Sequence, residues 1–151
     1  MLHQVCLGLG SNLGDRASLL ERAIQLVSER VGEIACRSSF VETEPWGFES
    51  PNSFLNGVIL CETRLTPHEV LEATQKIERE LGKGQEHTTR RNQSQNPVYR
   101  DRPVDIDILL YDDLTTDEPD LKIPHPLMRE RDFVMKPLRE IEAKLNIKLK
   151  F

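Results

Sequence analysis

Two aspartates separated by one residue, Asp105 and Asp107, give the clearest chemical signal in the sequence. Alternate side chains of a strand project to the same face, so the two carboxylates would lie side by side. Carboxylates held that close repel each other unless a cation lies between them, and a hard divalent cation such as Mg²⁺ takes oxygen ligands of this kind. The alternative is a solvated strand face on which the two aspartates share no ligand.

A basic segment precedes these aspartates in a chain that is acidic overall. Residues 83–102 carry five basic and two acidic side chains, a net charge of +3, whereas the whole chain has a net charge of −5. The segment has few apolar residues to bury, so we expect a long, mobile loop. Positive charge beside a metal-binding pair suits a polyphosphate substrate, and Arg102 lies three residues before Asp105. A solvated insertion is the alternative.

A third candidate group follows the aspartates. Pro124 and Pro126 flank His125, which predicts a rigid, exposed turn where the imidazole can donate to an anion. Arg131 and Phe133 come next, and they could hold a phosphate and stack on a ring system. A surface arginine and a core phenylalanine would explain the same pair equally well.

Aromatic residues and an asparagine are concentrated between residues 43 and 56. Trp46, Phe48 and Phe54 could form a flat slot, and Asn56 could supply its polar edge, which suits a planar heterocycle. Asn56 falls in the middle of a predicted strand, where a buried amide requires hydrogen-bond partners. Ordinary packing of a loop against a sheet is the alternative, above all for Trp46.

The hydrophobic pattern predicts the elements that must position these residues. Strands are expected over residues 2–9, 34–42, 54–63 and 104–111, and helices over 15–31, over 66–81 and from about residue 136. In the last strand, Ile106, Ile108 and Leu110 are expected on the core face. The order strand, helix, strand, strand, helix, strand is the split β-α-β pattern. We therefore expect an α+β, ferredoxin-like sandwich with a mainly antiparallel sheet, both long helices on one face, and additional C-terminal helical segments.

Composition limits the classes of function. A length of 151 residues indicates a single domain, and no apolar run is long enough to span a membrane. The N-terminus resembles no secretory signal, and three cysteines, an odd number, are expected to be reduced thiols in a cytoplasmic protein. The acidic balance argues against nucleic acid as a partner.

Several segments together resemble the 6-hydroxymethyl-7,8-dihydropterin pyrophosphokinases of folate biosynthesis over essentially the whole chain. The matching segments are residues 7–15, 43–47, 54–56, 75–78, 101–109, 123–126 and 131–134. The resemblance implies an ATP-dependent diphosphokinase that transfers pyrophosphate to the pterin's hydroxymethyl group and releases AMP. It also implies two Mg²⁺ ions and small-molecule substrates only, and a monomer is expected.

The resemblance also implies roles for individual residues. Asp105 and Asp107 would hold the metal ions and be catalytic, together with Arg102 and Lys83. Residues implied to bind the nucleotide are Gln75, Glu78, Tyr99, Arg102, Ile108, His125 and Arg131. Residues implied to bind the pterin are Thr43, Glu44, Trp46, Phe54, Asn56 and Phe133.

Some positions depart from the family's pattern, and one alternative function stays open. Lys83 stands near a usual arginine and Tyr99 near a usual tryptophan, within a loop that looks longer than in shorter members. Either Asp105 or Asp107 could accept the hydroxyl proton. A different Mg²⁺-dependent nucleotidyl or phosphoryl transferase on a ferredoxin-like fold is the alternative function. A regulatory ligand-binding module or an RNA-binding module fits less well, because the first needs no paired carboxylates and the second needs a basic, aromatic sheet face.

Overall fold

The computed structural model describes residues 1–44, 53–82 and 103–151 of the chain. The strands in these ranges are β1 (His3–Ser11), β2 (Gly32–Arg37), β3 (Val41–Thr43), β4 (Phe54–Thr63), β5 (Asp105–Tyr111), β6 (Thr116–Glu118) and β7 (Leu121–Ile123). The helices are α1 (Arg16–Arg30), α2 (Pro67–Gly82) and α3 (Asp132–Leu145), with a short 3-10 helix at Met128–Glu130.

One antiparallel sheet organises the fold. Its strand order is β2-β4-β1-β5, and β3 pairs with the part of β4 beyond β2. This order is the one that the split β-α-β pattern produces, so the predicted α+β, ferredoxin-like architecture is confirmed. β1 lies in the interior of the sheet with β4 and β5 as its neighbours.

Helices α1 and α2 cover one face of the sheet, as predicted. Leu20, Ile24 and Val27 of α1 are buried in a core cluster with Val70 and Ile77 of α2. Helix α2 begins with the predicted capping box: the Glu69 amide donates to Thr66 Oγ1 at 3.2 Å, and the Thr66 amide donates to Glu69 Oε1 at 2.9 Å. The apolar spacing of the helices and the capping box both depend on residues close in sequence, which explains why they could be predicted.

Helix α3 covers the opposite face of the sheet and begins four residues before the predicted position near Lys136. The Arg131 carbonyl accepts hydrogen bonds from the Val134 and Met135 amides, each at 2.9 Å, and so forms the first turn. Val134, Leu138 and Ile141 then form the buried stripe of the helix. Pro137 lies in the second turn of the helix, where it has no N–H to donate to the Phe133 carbonyl.

The predicted strand over residues 34–42 is divided into β2 and β3. Ser38 interrupts it because its amide donates to the Val58 carbonyl while its hydroxyl accepts from the Val58 amide, both at 2.9 Å. The hydroxyl thus replaces a backbone carbonyl in the ladder. The adjacent Ser39 amide donates to the Glu140 carboxylate of α3 at 3.0 Å, and pairing with β4 resumes at Val41.

The predicted core face of β5 is correct for Ile106 and Ile108 and wrong for Leu110. A bulge against β1 shifts the register between Cys6 and Leu7, so that Leu109 has no direct partner there. Leu109 and Leu110 therefore both belong to the cluster beneath α3, whereas Ile106 and Ile108 lie in the cluster beneath α1 and α2. The β6–β7 hairpin was not predicted, because its strands are only three residues long.

Among the described residues, no helix combines the length and the apolar character that crossing a membrane would require.

Candidate active site

The site is built on a row of residues that crosses three strands. Gly10 of β1 pairs with Asn56 of β4 on one side and with Asp105 of β5 on the other. Gly8 of β1 pairs with Asp107 in the same way. Ile106 is buried beneath α1 and α2, so the two aspartates project from the opposite face, as predicted from the period of a strand.

Asp107 lies beside two potential cations. Its Oδ2 atom is 3.9 Å from Arg131 Nη1 and 4.0 Å from His125 Nε2. The Arg131 side chain is only 9% exposed, whereas that of Asp107 is 34% exposed. A buried guanidinium that reaches an accessible carboxylate can bind a second anion from the open side. The Arg131 guanidinium carbon also lies 5.5 Å from the centre of the Phe133 ring.

The protonation of His125 follows from its contacts. The Leu127 amide donates to His125 Nδ1 at 3.2 Å, so the ring proton of the neutral imidazole is on Nε2, the atom that faces Asp107. Burial lowers the pKa of His125 below its ordinary value, and the Arg131 guanidinium lowers it further, while Asp105 opposes both effects. The residue is thus a hydrogen-bond donor that need not be charged.

Glu78 of α2 is hydrogen-bonded to β5, the strand that contains the two aspartates. Its Oε2 atom accepts a hydrogen bond of 2.6 Å from the Ile106 amide, between Asp105 and Asp107. This contact was not predicted, because it joins residues that are distant in sequence. Gln75 lies three residues earlier on α2 and is exposed.

Three of the residues predicted to bind a heterocycle, Thr43, Phe54 and Asn56, form a second part of the site. Asn56 is 6% exposed, and its Nδ2 atom donates to Thr43 Oγ1 at 2.8 Å. Phe54 and Phe133 are half-buried, and Glu44 is exposed. The structure thus brings Asn56, Thr43 and Phe54 together at the end of β4.

Arg16 of α1 links β3 to Ser53, the residue that precedes β4, next to this group. Its Nη1 atom donates to Glu42 Oε2 at 3.1 Å and to the Ser53 carbonyl at 3.0 Å. Hydrogen bonds from Ser53 and Arg16 and the positive charge of Arg16 lower the pKa of Glu42. Glu42 and Ser53 are neighbours of Thr43 and Phe54, so this contact, which was not predicted, fixes the spacing of β3 and β4 at the site.

Of the remaining predicted residues, only Ile108 falls within the described ranges, and its side chain is not on this face. The side chain of Ile108 is 6% exposed in the core beneath α1 and α2, so its backbone alone is near the site face. Trp46, Lys83, Tyr99 and Arg102, with the whole segment 83–102, lie outside the described residues. Gly10 had no predicted role, although two glycines at alternate positions of a strand are a signal of close approach on one face.

The chemistry of the donor set favours Mg²⁺. Within the described residues, the one group of three close metal-ligating side chains is His68, Glu118 and Asp120, on the exposed surface at the start of α2. Asp105 and Asp107 therefore offer two carboxylates without a third side-chain ligand among these residues. Two carboxylates completed by water and phosphate oxygens are typical of Mg²⁺ sites. The residues present fit that ion.

Comparison with known proteins gives consistent results. The sequence profile of the family described as 7,8-dihydro-6-hydroxymethylpterin-pyrophosphokinase matches residues 6–143. Relatives described as 2-amino-4-hydroxy-6-hydroxymethyldihydropteridine pyrophosphokinase include one from Porphyromonas gingivalis, 50% identical over 94% of this chain and 92% of its own. One from Aquifex aeolicus is 41% identical over 91% of this chain and 79% of its own, and one from Bacillus subtilis is 39% identical over 89% and 75%.

Solved structures support the fold. The crystal structure of wild-type Plasmodium falciparum HPPK-DHPS with pterin and p-hydroxybenzoate superposes with a TM-score of 0.67 at 16% identity. It covers 93% of this chain, which spans 38% of that longer chain. At this identity the likeness shows the fold alone. From the profile match and the 39–50% identity to relatives of which it covers 75–92%, we conclude that the chain belongs to the 7,8-dihydro-6-hydroxymethylpterin-pyrophosphokinase family.

Proposed function

We propose that this chain transfers the diphosphoryl group of ATP to the hydroxymethyl group of 6-hydroxymethyl-7,8-dihydropterin, giving the pterin diphosphate and AMP in folate biosynthesis. The observation that carries this proposal is the row Asn56–Gly10–Asp105. The buried amide of Asn56 at one end can hydrogen-bond to a heterocycle. Asp105 at the other end, together with Asp107, can bind a polyphosphate through metal ions. One small molecule can thus be recognised on β4 and react at β5.

Asp105 and Asp107 are the residues that would hold two Mg²⁺ ions on the ATP phosphates. Bound Mg²⁺ supplies positive charge that stabilises the developing charge on the phosphoryl and leaving oxygens. Arg131 would bind a phosphate oxygen from its buried position, and His125 would donate from Nε2. The other proposed nucleotide contacts are Gln75, Glu78, Tyr99, Arg102 and the backbone of Ile108, with Lys83 and Arg102 as further cations.

The pterin would lie against the end of β4. Asn56 would pair with the edge of the heterocycle, and Thr43 would orient the amide through the 2.8 Å hydrogen bond. Phe54 and Phe133 would stack on the ring, and Glu44 and Trp46 would border it. The substrate hydroxyl then attacks the β-phosphorus in line, and either Asp105 or Asp107 accepts its proton.

Besides this proton transfer, the residues of the site contribute positioning and charge. The Glu78 carboxylate fixes the peptide between the two aspartates, so that their side chains keep their separation while the phosphates bind. Arg131 lies within ion-pair distance of Asp107 and balances negative charge before the nucleotide arrives.

The products of the reaction test this function directly. The chain, incubated with ATP, Mg²⁺ and 6-hydroxymethyl-7,8-dihydropterin, should release AMP and pterin diphosphate in equal amounts, measured by chromatography and mass spectrometry. Removal of the metal with EDTA should stop the reaction, and added Mg²⁺ should restore it. Release of ADP together with a pterin monophosphate would support a different phosphoryl transferase. Release of AMP in a reaction to which no pterin was added would contradict the proposal.

Three further properties are part of the proposal. The 151 residues act as one catalytic domain, as a monomer, and in the cytoplasm. Cys6, Cys36 and Cys61 are all free thiols, the form that a reducing compartment maintains. Sedimentation of the purified chain would test the monomer.

A further inference from the structure

We propose that Gly10 is a positioning residue for pterin recognition. Because glycine has no Cβ atom, the Asn56 amide can lie directly above the backbone of β1 at this position. The inference rests on the proposed function of Asn56 as the residue that reads the heterocycle. It assigns to Gly10 a role in substrate affinity rather than in turnover.

The Asn56 amide occupies space that is free only because its cross-strand neighbour, Gly10, has no side chain. A Cβ atom built on Gly10 would lie 2.7 Å from Asn56 Oδ1 and 3.5 Å from Phe54 Cδ1. The first distance is well inside van der Waals contact, so an alanine at this position would force the amide to move. Two proposed pterin-binding side chains thus converge on one bare Cα atom.

Asn56 cannot move away without losing a hydrogen bond. Its other amide atom, Nδ2, donates to Thr43 Oγ1 at 2.8 Å, and the residue is 6% exposed. A rotation that relieves the clash with a new methyl group would break this contact or turn the amide away from the heterocycle. The methyl group would therefore act on pterin binding through Asn56.

Gly8 provides a matched control on the same strand and the same face. A Cβ atom on Gly8 would lie 3.4 Å from Leu109 Cδ1 and 3.5 Å from Leu109 Cδ2, which is ordinary contact with a flexible side chain. Gly8→Ala and Gly10→Ala add the same methyl group and cause the same loss of backbone freedom. They differ in whether the methyl group meets Asn56.

The experiment compares these two variants in steady-state kinetics and in binding. Gly10→Ala should raise KM for the pterin roughly 5- to 150-fold, the range expected when hydrogen-bonding groups are left unpaired. Its affinity for Mg²⁺ and a non-hydrolysable ATP analogue, measured by calorimetry, should stay within about 2-fold. Gly8→Ala should leave KM for the pterin near that of the original chain.

A double variant isolates the contact with Asn56. If the methyl group acts through Asn56, Gly10→Ala should have little further effect on pterin affinity in an Asn56→Ala background, where the clashing atom is gone. This background also keeps the test valid if Gly10→Ala alone folds poorly, since removing the amide relieves the overlap. Circular dichroism and thermal unfolding of the original chain and the four variants monitor the fold.

The outcomes separate this inference from the proposed function. An unchanged KM in Gly10→Ala, equal effects of Gly8→Ala and Gly10→Ala, or full additivity with Asn56→Ala would overturn the role of Gly10. If the original chain released no AMP, the proposed function would fail. Calorimetry with the pterin alone would then decide the role of Gly10, because a lower affinity in Gly10→Ala but not in Gly8→Ala needs no turnover.

Discussion

On the site face, Asp107 is approached by two potential cations, since Arg131 Nη1 and His125 Nε2 lie 3.9 Å and 4.0 Å from its Oδ2 atom. Asp107→Asn keeps the shape of the side chain and removes the charge that a metal ion requires. We expect turnover to fall at least about 100-fold at saturating Mg²⁺, the usual cost of losing a charge-stabilising group in a site of this kind.

The rate of AMP release measures this effect, and thermal unfolding checks the fold. Asp113→Asn is a suitable control, because Asp113 is an exposed aspartate two residues beyond β5. Near-normal turnover in Asp107→Asn would contradict the metal-binding role of the pair.

Asn56 and Thr43 form the hydrogen bond that orients the heterocycle-binding amide. Asn56→Ala would leave polar groups of the bound pterin unpaired, which should cost about 1–3 kcal/mol of binding free energy. Isothermal calorimetry with the pterin measures that loss. Thr43→Val should have a smaller effect in the same direction, whereas Thr43→Ser keeps the hydroxyl and should bind normally. Equal affinity in all four proteins would show that the amide has only a structural role.

At the scale of the elements, helix α2 is joined to strand β5 by the hydrogen bond between Glu78 and the Ile106 amide. Glu78→Ala removes the acceptor and should lower kcat several-fold, because the peptide between the two aspartates is no longer fixed. Glu78→Gln keeps an acceptor oxygen at the same length and should recover most of kcat. Steady-state kinetics of both variants would show this difference, and equal losses would instead indicate that the negative charge of Glu78 is what matters.

Local signals made the elements predictable, and non-local contacts explain the errors. The capping box of Thr66 and Glu69 and the face shared by Asp105 and Asp107 depend on neighbours in sequence, and both are found in the structure. The division of β2 from β3 depends on Ser38 meeting Val58, and the position of Leu110 depends on a bulge against β1. The sequence pattern of residues 34–42 or of β5 alone does not reveal these contacts with other strands.

The same distinction applies to the site. The residue types that could bind a metal ion, a phosphate or a heterocycle were evident from the sequence. The row Asn56–Gly10–Asp105 was not, because it exists only once three strands are in register. The contact of Arg16 with Glu42 and Ser53 likewise joins α1, β3 and the residue before β4.

At the scale of the whole molecule, two cysteines lie on opposite faces of the central strands. Burial raises the pKa of Cys6, with further effects of Cys61 and Glu142, and burial raises that of Cys61, each to about 12. Because these pKa values are raised, the stability that the protonated thiols contribute is complete below about pH 9 and is lost as the pH rises toward 12.

At about pH 8 the folded chain should therefore leave both thiols unmodified by iodoacetamide, since the reactive thiolate is suppressed on the order of 1,000-fold. In urea both should react, and peptide mass spectrometry distinguishes them from Cys36. Rapid modification of Cys6 or Cys61 in the folded chain would contradict their burial.

The interior position of β1 has a consequence for how this molecule becomes active. Gly10 must pair with residue 56 and with residue 105, so the chain has to close two long loops before the three-strand row exists. Contacts of such high sequence separation form late in folding, because the entropy lost on closing the loops is recovered only when the strands pair. A partly folded chain that lacks either β4 or β5 beside β1 has no site. During refolding, enzymatic activity should accordingly return with the slowest structural phase, which makes turnover a sensitive reporter of complete folding.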